Sequence, residues 1–580
     1  MSTPSPTPRR LHPEHWLILA VVAAIMSLSL GWGLPGQGRL ELLNWGQPPT
    51  PQELSRVFSA REAYYQTLDT LQAQAGRLVL QGQPAPLGDP VNLTAVLNQA
   101  EKDTAWRAYI LGSAAVDERY AFSVLSRMNP ATWDFNPRRH NYGGSFIYPL
   151  GGLLFLQKAL GLMHITPELA YYVEHPGQVA RMYRTGRLMS VLSLLGGLLL
   201  LGLLGNRLGG RAAATLAMLA YGCSSVGFWQ ALVTKPHLYA ACFSFLGLYL
   251  LVRFQEEERL TLLILSAAAC GWAMGASLPA GALGLAYPIL LYAPGGWRWL
   301  RHTCLAGLVM LAVYLLTNPY VLISPETFAY TLTLHSSGQG FGYGVFGLLK
   351  MQEYLHDIFF RAYAFPLGLL GGLCALGLAM WGQGLVRRLA LLFIALTLLA
   401  GGTVATPRIT LFTGPLLCLL AGLGLGRWLV DAAWLARPAR AAVLGALMLP
   451  GLFTLGLMAH DAIWDQDWRA PTRQWVESAG LTPQTSLGAF GRPDPINLPP
   501  FPFLRNRLVD LFQYKDAAQA PDYVILGNFQ GDPSLWKTHP LAGQYRLVAT
   551  LGYRPSWEWL AGWRHPSEPR LAAWVYKRQD

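Results

Sequence analysis

Two adjacent acids, Asp117 and Glu118, are the residues of this chain best suited to move a proton. A carboxylate beside an attacking hydroxyl or amine can take its proton, and such general-base help contributes ~10²–10⁴-fold in rate. The other half of a displacement is the charge that gathers on the leaving group. Fixed cations stabilise it where it develops, and Arg187, Lys235, His237 and Arg408 are candidates for holding a phosphate. A polar and aromatic stretch supplies further binding candidates in Arg119, Tyr120, Arg138, Arg139, His140 and Tyr148, with His335 far downstream. Glu353 and His356 are spaced i,i+3, so on a helix they share a face that could hold a divalent ion. Asp117 is a further candidate ligand for such an ion. Structural roles stay open for all of them. Acids favour a helix N-terminus, basic residues at span ends snorkel to lipid headgroups, and a charged i,i+3 pair can be a solvated face.

These residues must be positioned by a chain of 580 residues that is 52% hydrophobic and 13% charged. That charged share is about half the usual one for soluble domains. Apolar runs of ~18 residues or more read as membrane spans. The candidate spans are 16–34, 183–205, 212–230, 238–253, 260–277, 279–293, 303–318, 360–381, 389–405, 409–426 and 441–459. As one helix, 260–293 would be ~51 Å long, too long for one crossing, so it reads as a hairpin. By the same logic the chain breaks at Thr234-Lys235-Pro236-His237 and at Thr406-Pro407-Arg408.

The net charge of +12 sits in short loops, without a nucleic-acid-binding motif. Arg9 and Arg10, Arg207 and Arg211, Arg253 and Arg259, Arg298 and Arg301, Arg387 and Arg388, and Arg427, Arg437 and Arg440 make every second loop basic. Basic loops stay cytoplasmic. The N-terminus is then inside and 460–580 outside. Ser145–Met163 is apolar enough to span, but a span there would reverse every later loop. It is placed as a juxtamembrane or re-entrant helix on the outer side.

The predicted organisation is a cytoplasmic tail (1–15), a first span (16–34), a first external loop (35–182), the remaining spans (183–459) with an external loop at 319–359, and an extracytoplasmic domain (460–580). Amphipathic helices are expected at 50–76 and 92–112. In the tail, Thr485–Phe490, Tyr523–Gly527, Tyr545–Leu551 and Ala572–Lys577 read as strands of a small α/β domain. The six cysteines fall in or beside apolar runs and read as buried small apolar residues. The fold class is an all-α polytopic membrane protein of about 11 transmembrane helices, with juxtamembrane helices at its outer surface and that small C-terminal domain.

The order of motifs resembles the GT-C membrane glycosyltransferases, near the protein O-mannosyltransferase and aminoarabinose transferase group (glycosyltransferase family 39 type). Asp117-Glu118, Asn136-Pro137 and Tyr148-Pro149 resemble that group's first external loop. Thr185-Gly186-Arg187-Leu188-Met189-Ser190, Thr317-Asn318-Pro319-Tyr320 and Pro407-Arg408 with Pro415 resemble later motifs. Together they cover roughly 115–460. Residues 35–112 are an insertion before the acid pair, His237 stands where many relatives carry Asp, and Ile409 replaces a Tyr.

The resemblance implies a bacterial inner (cytoplasmic) membrane enzyme with its active site on the outer face. It would take a sugar from a polyprenyl-phosphate carrier to a lipid, glycan or protein acceptor, inverting at the anomeric carbon with Asp117 as base. Partners would be the lipid-linked donor and membrane lipids, with no nucleic acid; a divalent metal ion is the one cofactor left open. An oligosaccharide ligase or oligosaccharyltransferase using a pyrophosphate donor is the neighbouring alternative. A lipid-linked sugar transporter or flippase would show paired halves, and no repeat is visible. A non-catalytic scaffold would leave Asp117-Glu118 and Arg408 far apart.

Overall fold

The computed structural model describes residues 11–36, 49–84, 96–115, 117–294, 296–339, 345–363, 366–403, 410–431 and 437–464, and parts of 474–579. The long helices, in chain order, are α1 (Pro13–Ser29), α2 (Pro51–Leu80), α3 (Gln99–Leu111), α4 (Glu118–Leu125), α5 (Gly144–Ala159), α6 (Pro176–Gly222), α7 (Ser225–Ala231) and α8 (Pro236–Glu257). They continue with α9 (Leu260–Ala276), α10 (Trp297–Thr317), α11 (Pro325–Gln339), α12 (Val345–His356), α13 (Leu367–Trp381), α14 (Gly384–Thr403), α15 (Thr410–Asp431) and α16 (Arg437–Trp464).

Among the described residues, six helices are long and apolar enough to cross a membrane: α6, α8, α10 and the apolar parts of α14, α15 and α16. Pro13–Ser29, Leu260–Ala276, Leu278–Leu291 and Leu367–Trp381 are shorter apolar helical segments. Two predicted breaks fall where expected. Pro236 opens α8 after the turn at 232–235, and Gly210, at φ 80°, interrupts α6 between its two predicted spans. The second half of the 260–293 hairpin departs from an α-helix. It is a 3₁₀ stretch at Leu278–Leu285 followed by a short helix at Ala286–Leu291. The proline and glycines of Leu278-Pro-Ala-Gly-Ala-Leu-Gly weaken the α-helical ladder there.

Small residues allow the spans to close on each other. A Cβ on Gly422 of α15 would lie 2.4 Å from Ala213 O of α6, and one on Gly271 of α9 would lie 2.5 Å from Met310 O of α10. Cys223, Cys270 and Cys418 are buried, but Cys304 is exposed on α10, against expectation. Trp229 is buried edge-to-face against Trp32, with ring centroids 5.2 Å apart.

Ser145–Met163 forms α5, which leaves Phe155, Leu156, Leu160 and Leu162 at or beyond its end exposed. Helix α2 runs slightly beyond its expected 50–76. Helix α3 begins only at Gln99, where Asn98 and Glu101 form a capping box.

The C-terminal part holds a mixed five-stranded sheet: β1 (Leu487–Ala489), β2 (Leu508–Asp510), β3 (Tyr523–Gly527), β4 (Tyr545–Gly552) and β5 (Ala572–Arg578), in the order β2-β1-β3-β5-β4. β1 pairs in parallel with β2 and β3, while β5 runs antiparallel to β3 and β4. The insertion docks on this sheet. Val96 bridges Val509, Leu97 N–H donates to Leu508 O at 2.9 Å, Lys102 Nζ donates to Asn506 O at 3.2 Å and the Tyr109 hydroxyl to Leu498 O at 2.9 Å.

Candidate active site

The two adjacent acids part company at the start of α4. Glu118, the first residue of the helix, turns inward and is fully buried. Its Oε1 accepts from Arg187 Nε at 2.8 Å, from Thr234 N–H at 3.0 Å and from the Thr234 hydroxyl at 2.8 Å. Its Oε2 accepts from Arg187 Nη2 at 2.8 Å and from the Ser113 hydroxyl. Arg187, equally buried, uses Nη1 to donate to the carbonyls of Leu30 and Trp32, just past α1. Taking two charges out of water costs several kcal/mol per ion, and only a full set of partners offsets it. Here both groups have that set.

Gly186 makes the approach possible, because a Cβ there would sit 2.2 Å from Thr234 Cγ2. In this geometry Arg187 reaches no open surface, contrary to the expectation that it meets a donor phosphate. Glu118 likewise has no face left for a substrate. Both are positioning residues, tying α4 to α1, α6 and the 232–235 turn.

Asp117 turns the other way. Although it stands at the cap of α4, its side chain does not cap the helix. Its Oδ2 instead accepts from Lys235 Nζ at 2.8 Å, with side-chain exposures of 35% for Asp117 and 12% for Lys235. Lys235 precedes a proline, which drives its backbone to the extended region (φ −134°, ψ 152°) and so ends the turn before α8. The buried pair one residue further along fixes Asp117, and the Lys-Pro turn fixes Lys235.

Aromatic side chains flank this pair. The Tyr142 hydroxyl donates to Asp117 O at 3.5 Å, and its ring meets those of Tyr120 at 4.7 Å and of His237 at 6.4 Å. The Tyr120 hydroxyl donates to Asn141 Oδ1 at 3.2 Å, and burial raises its pKa. His237 is 9% exposed at the start of α8.

Asn318, from the Asn-Pro-Tyr motif, holds the loop that carries Tyr142. Its Oδ1 accepts from Gly144 N–H at 2.7 Å, and its Nδ2 donates to Gly275 O at 3.1 Å. A Cβ on Gly143 would lie 1.8 Å from Gly275 O, so this contact requires glycine.

The rest of the predicted set lies around this centre with other partners. Arg138, in the left-handed region at φ 55°, donates to Arg127 O and pairs with Asp134, bracing its own loop. Tyr148 donates to Phe135 O at 3.3 Å. Arg119 is half-buried, with its Cδ close to Gly112. Arg139 lies over the Tyr65 ring, its Cζ 5.8 Å from the centroid.

His140, a binding candidate, has its Nε2 3.0 Å from Thr327 Oγ1 and its ring edge-on to Phe328. Burial pushes its pKa down to about 4, against a partial pull upward from Glu326. It is therefore neutral at pH 7, and the unfolded chain, with an ordinary value near 6.5, binds the extra proton first. His140 thus contributes stability above pH ~6.5 that is lost as the pH falls from there towards ~4. We expect His140→Asn to flatten the pH dependence of thermal unfolding between pH 7.5 and 4.5. An unchanged slope would remove His140 as its source.

Glu353 and His356 are exposed on α12, and the His356 ring stacks on Phe360 at 5.5 Å. No group of three His, Cys, Asp or Glu gathers among the described residues. Glu353 and His356 do not join Asp117 in a ligand set, and Asp117 already faces a cation in Lys235. The described residues of this set do not gather into a metal-ligand cluster. The His335 side chain and Arg408 lie outside the described residues.

Sequence reasoning passed over three residues of the centre. Ser113 and Thr234 satisfy Glu118, and Tyr142 leans on Asp117. Thr234 was adjacent to the Lys-Pro break; nothing marked Ser113.

No family model matches the sequence, and no curated protein matches it. Solved structures do show likeness. The chain is similar to ArnT from Cupriavidus metallidurans bound to undecaprenyl phosphate, at 14% identity and a TM-score of 0.43 over 97% of this chain and 98% of that one. It is similar to the oligosaccharyltransferase AglB from Archaeoglobus fulgidus, in complex with an inhibitory peptide and a dolichol-phosphate, at 11% identity and a TM-score of 0.40 over 94% of this chain and 74% of that one. It is also similar to the arabinofuranosyltransferase AftD from Mycobacteria, at 15% identity and a TM-score of 0.36 over 88% of this chain and 41% of that one.

Proposed function

We propose that this chain is a multi-pass membrane glycosyltransferase with its active site on the outer face of a bacterial inner membrane. It moves a sugar from a polyprenyl-phosphate carrier to an acceptor hydroxyl or amine. The observation that carries this reading is the divided acid pair: Glu118 is locked into the fold, while Asp117 is left partly exposed, 2.8 Å from Lys235.

A phosphate-linked sugar brings its own leaving group, because a phosphodiester departs as a weakly basic anion. The donor phosphate enters beside Lys235 and competes with Asp117 for the ammonium group. Once the phosphate holds Lys235, Asp117 is available as a base. The acceptor oxygen or nitrogen attacks the anomeric carbon from the face opposite the phosphate. Its proton passes to Asp117, the new glycosidic bond forms, and the anomeric C–O bond breaks. The electron pair leaves with the polyprenyl phosphate, and Lys235 balances its charge. A single displacement of this kind inverts the anomeric centre. Preorganised charge in a water-poor site makes that balance effective.

Purified protein supplied with a panel of radiolabelled polyprenyl-phosphate sugars should consume at least one of them. If no donor is consumed under any acceptor condition, the reading fails. Lys235→Gln should weaken donor binding and slow turnover, by about 10- to 100-fold in kcat/KM, while the fold stays intact. Unchanged kcat/KM in that variant would take Lys235 out of the donor site.

A further inference from the structure

Four arginines from four separate elements converge beside the candidate active site. Arg61 and Tyr65 come from α2, Arg107 from α3, Arg127 from the end of α4 and Arg139 from the following loop. The Cζ atoms of Arg61, Arg127 and Arg139 lie 4.9, 4.7 and 5.8 Å from the centroid of the single Tyr65 ring. Burial, with the Arg61 charge adding to it, pushes the Arg107 pKa down to about 10.

Among the described residues, two carboxylates answer these four charges. Glu62 pairs with Arg61 at 2.6 Å, and Asp69 pairs with Arg127. Arg107 Nη1 and Arg139 Nε are buried, and neither atom has a hydrogen-bond partner among the described residues; Asp69 Oδ1 is the other such atom here. Like charges gathered in a poorly hydrated place are unfavourable unless an opposite charge joins them. Arg61 spends Nη1 on Glu62 and Nη2 on the Ser126 hydroxyl, so the donors left over are chiefly those of Arg107 and Arg139, and a guanidinium fork fits the oxygens of a phosphate or carboxylate.

The cluster is one tyrosine side chain away from Asp117. Tyr120 N–H donates to Asp117 O at 3.1 Å, while its hydroxyl lies in the fields of Arg139 and Arg127. A tyrosine is about as long as a monosaccharide. We infer that Arg61, Arg107, Arg127 and Arg139 form an anion subsite for the acceptor, which therefore carries a phosphate or carboxylate about one sugar's length from the atom that is glycosylated. This assignment to the acceptor rests on the transferase reading, with Lys235 serving the donor. It also gives the insertion a task, since α2 and α3 supply half of the subsite.

The test uses the full chain in nanodiscs of neutral phosphatidylcholine, titrated with inorganic phosphate and read by calorimetry. Wild type should bind. Arg139→Gln and Arg107→Gln should each weaken the Kd by about tenfold or more, whereas Lys235→Gln should leave it within about twofold. Melting temperatures check that each variant is folded, and Arg107→Lys stands in if Arg107→Gln is not. Unchanged binding in Arg139→Gln overturns the subsite. Equal loss in Lys235→Gln places the phosphate at the donor position and overturns it too. Replacing a third of the lipid with phosphatidylglycerol should leave binding intact. If it abolishes binding, a lipid headgroup occupies the cluster and the acceptor assignment falls. Because the readout needs no turnover, a protein inactive with every donor would sink the transferase reading while leaving the binding result legible.

Discussion

Asp117→Asn lowers sugar transfer by ~10²–10⁴-fold and leaves the protein folded. The amide keeps the size of the side chain and can still accept a hydrogen bond from Lys235, 2.8 Å away. What it loses is the ability to take a proton from the acceptor. Asp117 is partly exposed and its side chain does not cap α4, so the isosteric exchange leaves the start of the helix intact. The measurement is turnover of a radiolabelled polyprenyl-phosphate sugar, with the melting temperature as control. If Asp117→Asn retains full turnover, Asp117 is not the base.

The second large effect falls on stability. Arg187→Leu leaves Glu118 ionisable, buried and short of two of its hydrogen bonds, since Arg187 supplies one to each carboxylate oxygen. Removing one member of a buried ion pair typically costs about 3–5 kcal/mol, so the purified variant should lose most of its thermal stability. The double variant Glu118→Leu with Arg187→Leu should recover part of that loss, because it leaves no lone charge behind. If the two single variants and the double variant melt where wild type does, the pair does not hold the site together.

The sequence showed the helical plan more clearly than the roles inside it. Proline before a helix and glycine within one are local signals, so the breaks at Pro236 and near Gly210 could be read directly. Four strands were visible as short β-branched and aromatic runs. The fifth, Leu508–Asp510, is three residues long, and its identity comes from its partner Leu487–Ala489 rather than from its own pattern.

The acid pair was legible as a pair, but its division was not. Glu118 and Asp117 are neighbours of the same charge; which one is buried depends on Arg187 and Thr234, far along the chain. For the same reason Arg187 read as a ligand for phosphate when its partner is a carboxylate. His140 beside two arginines read as a binding candidate, and Thr327 and Phe328 pack against it. Arg139, its neighbour, stays at such a cluster because Tyr65, from the insertion, draws three guanidinium groups to one ring.

The lock around Glu118 also sets an order of events during biosynthesis. Glu118 leaves the ribosome 69 positions ahead of Arg187 and 116 ahead of Thr234. Until Arg187 has followed, an acid destined for the dry interior has no counter-charge and must wait in water, and until Thr234 has followed it lacks two further hydrogen bonds. A nascent chain truncated before residue 187 therefore leaves Glu118 without its guanidinium partner.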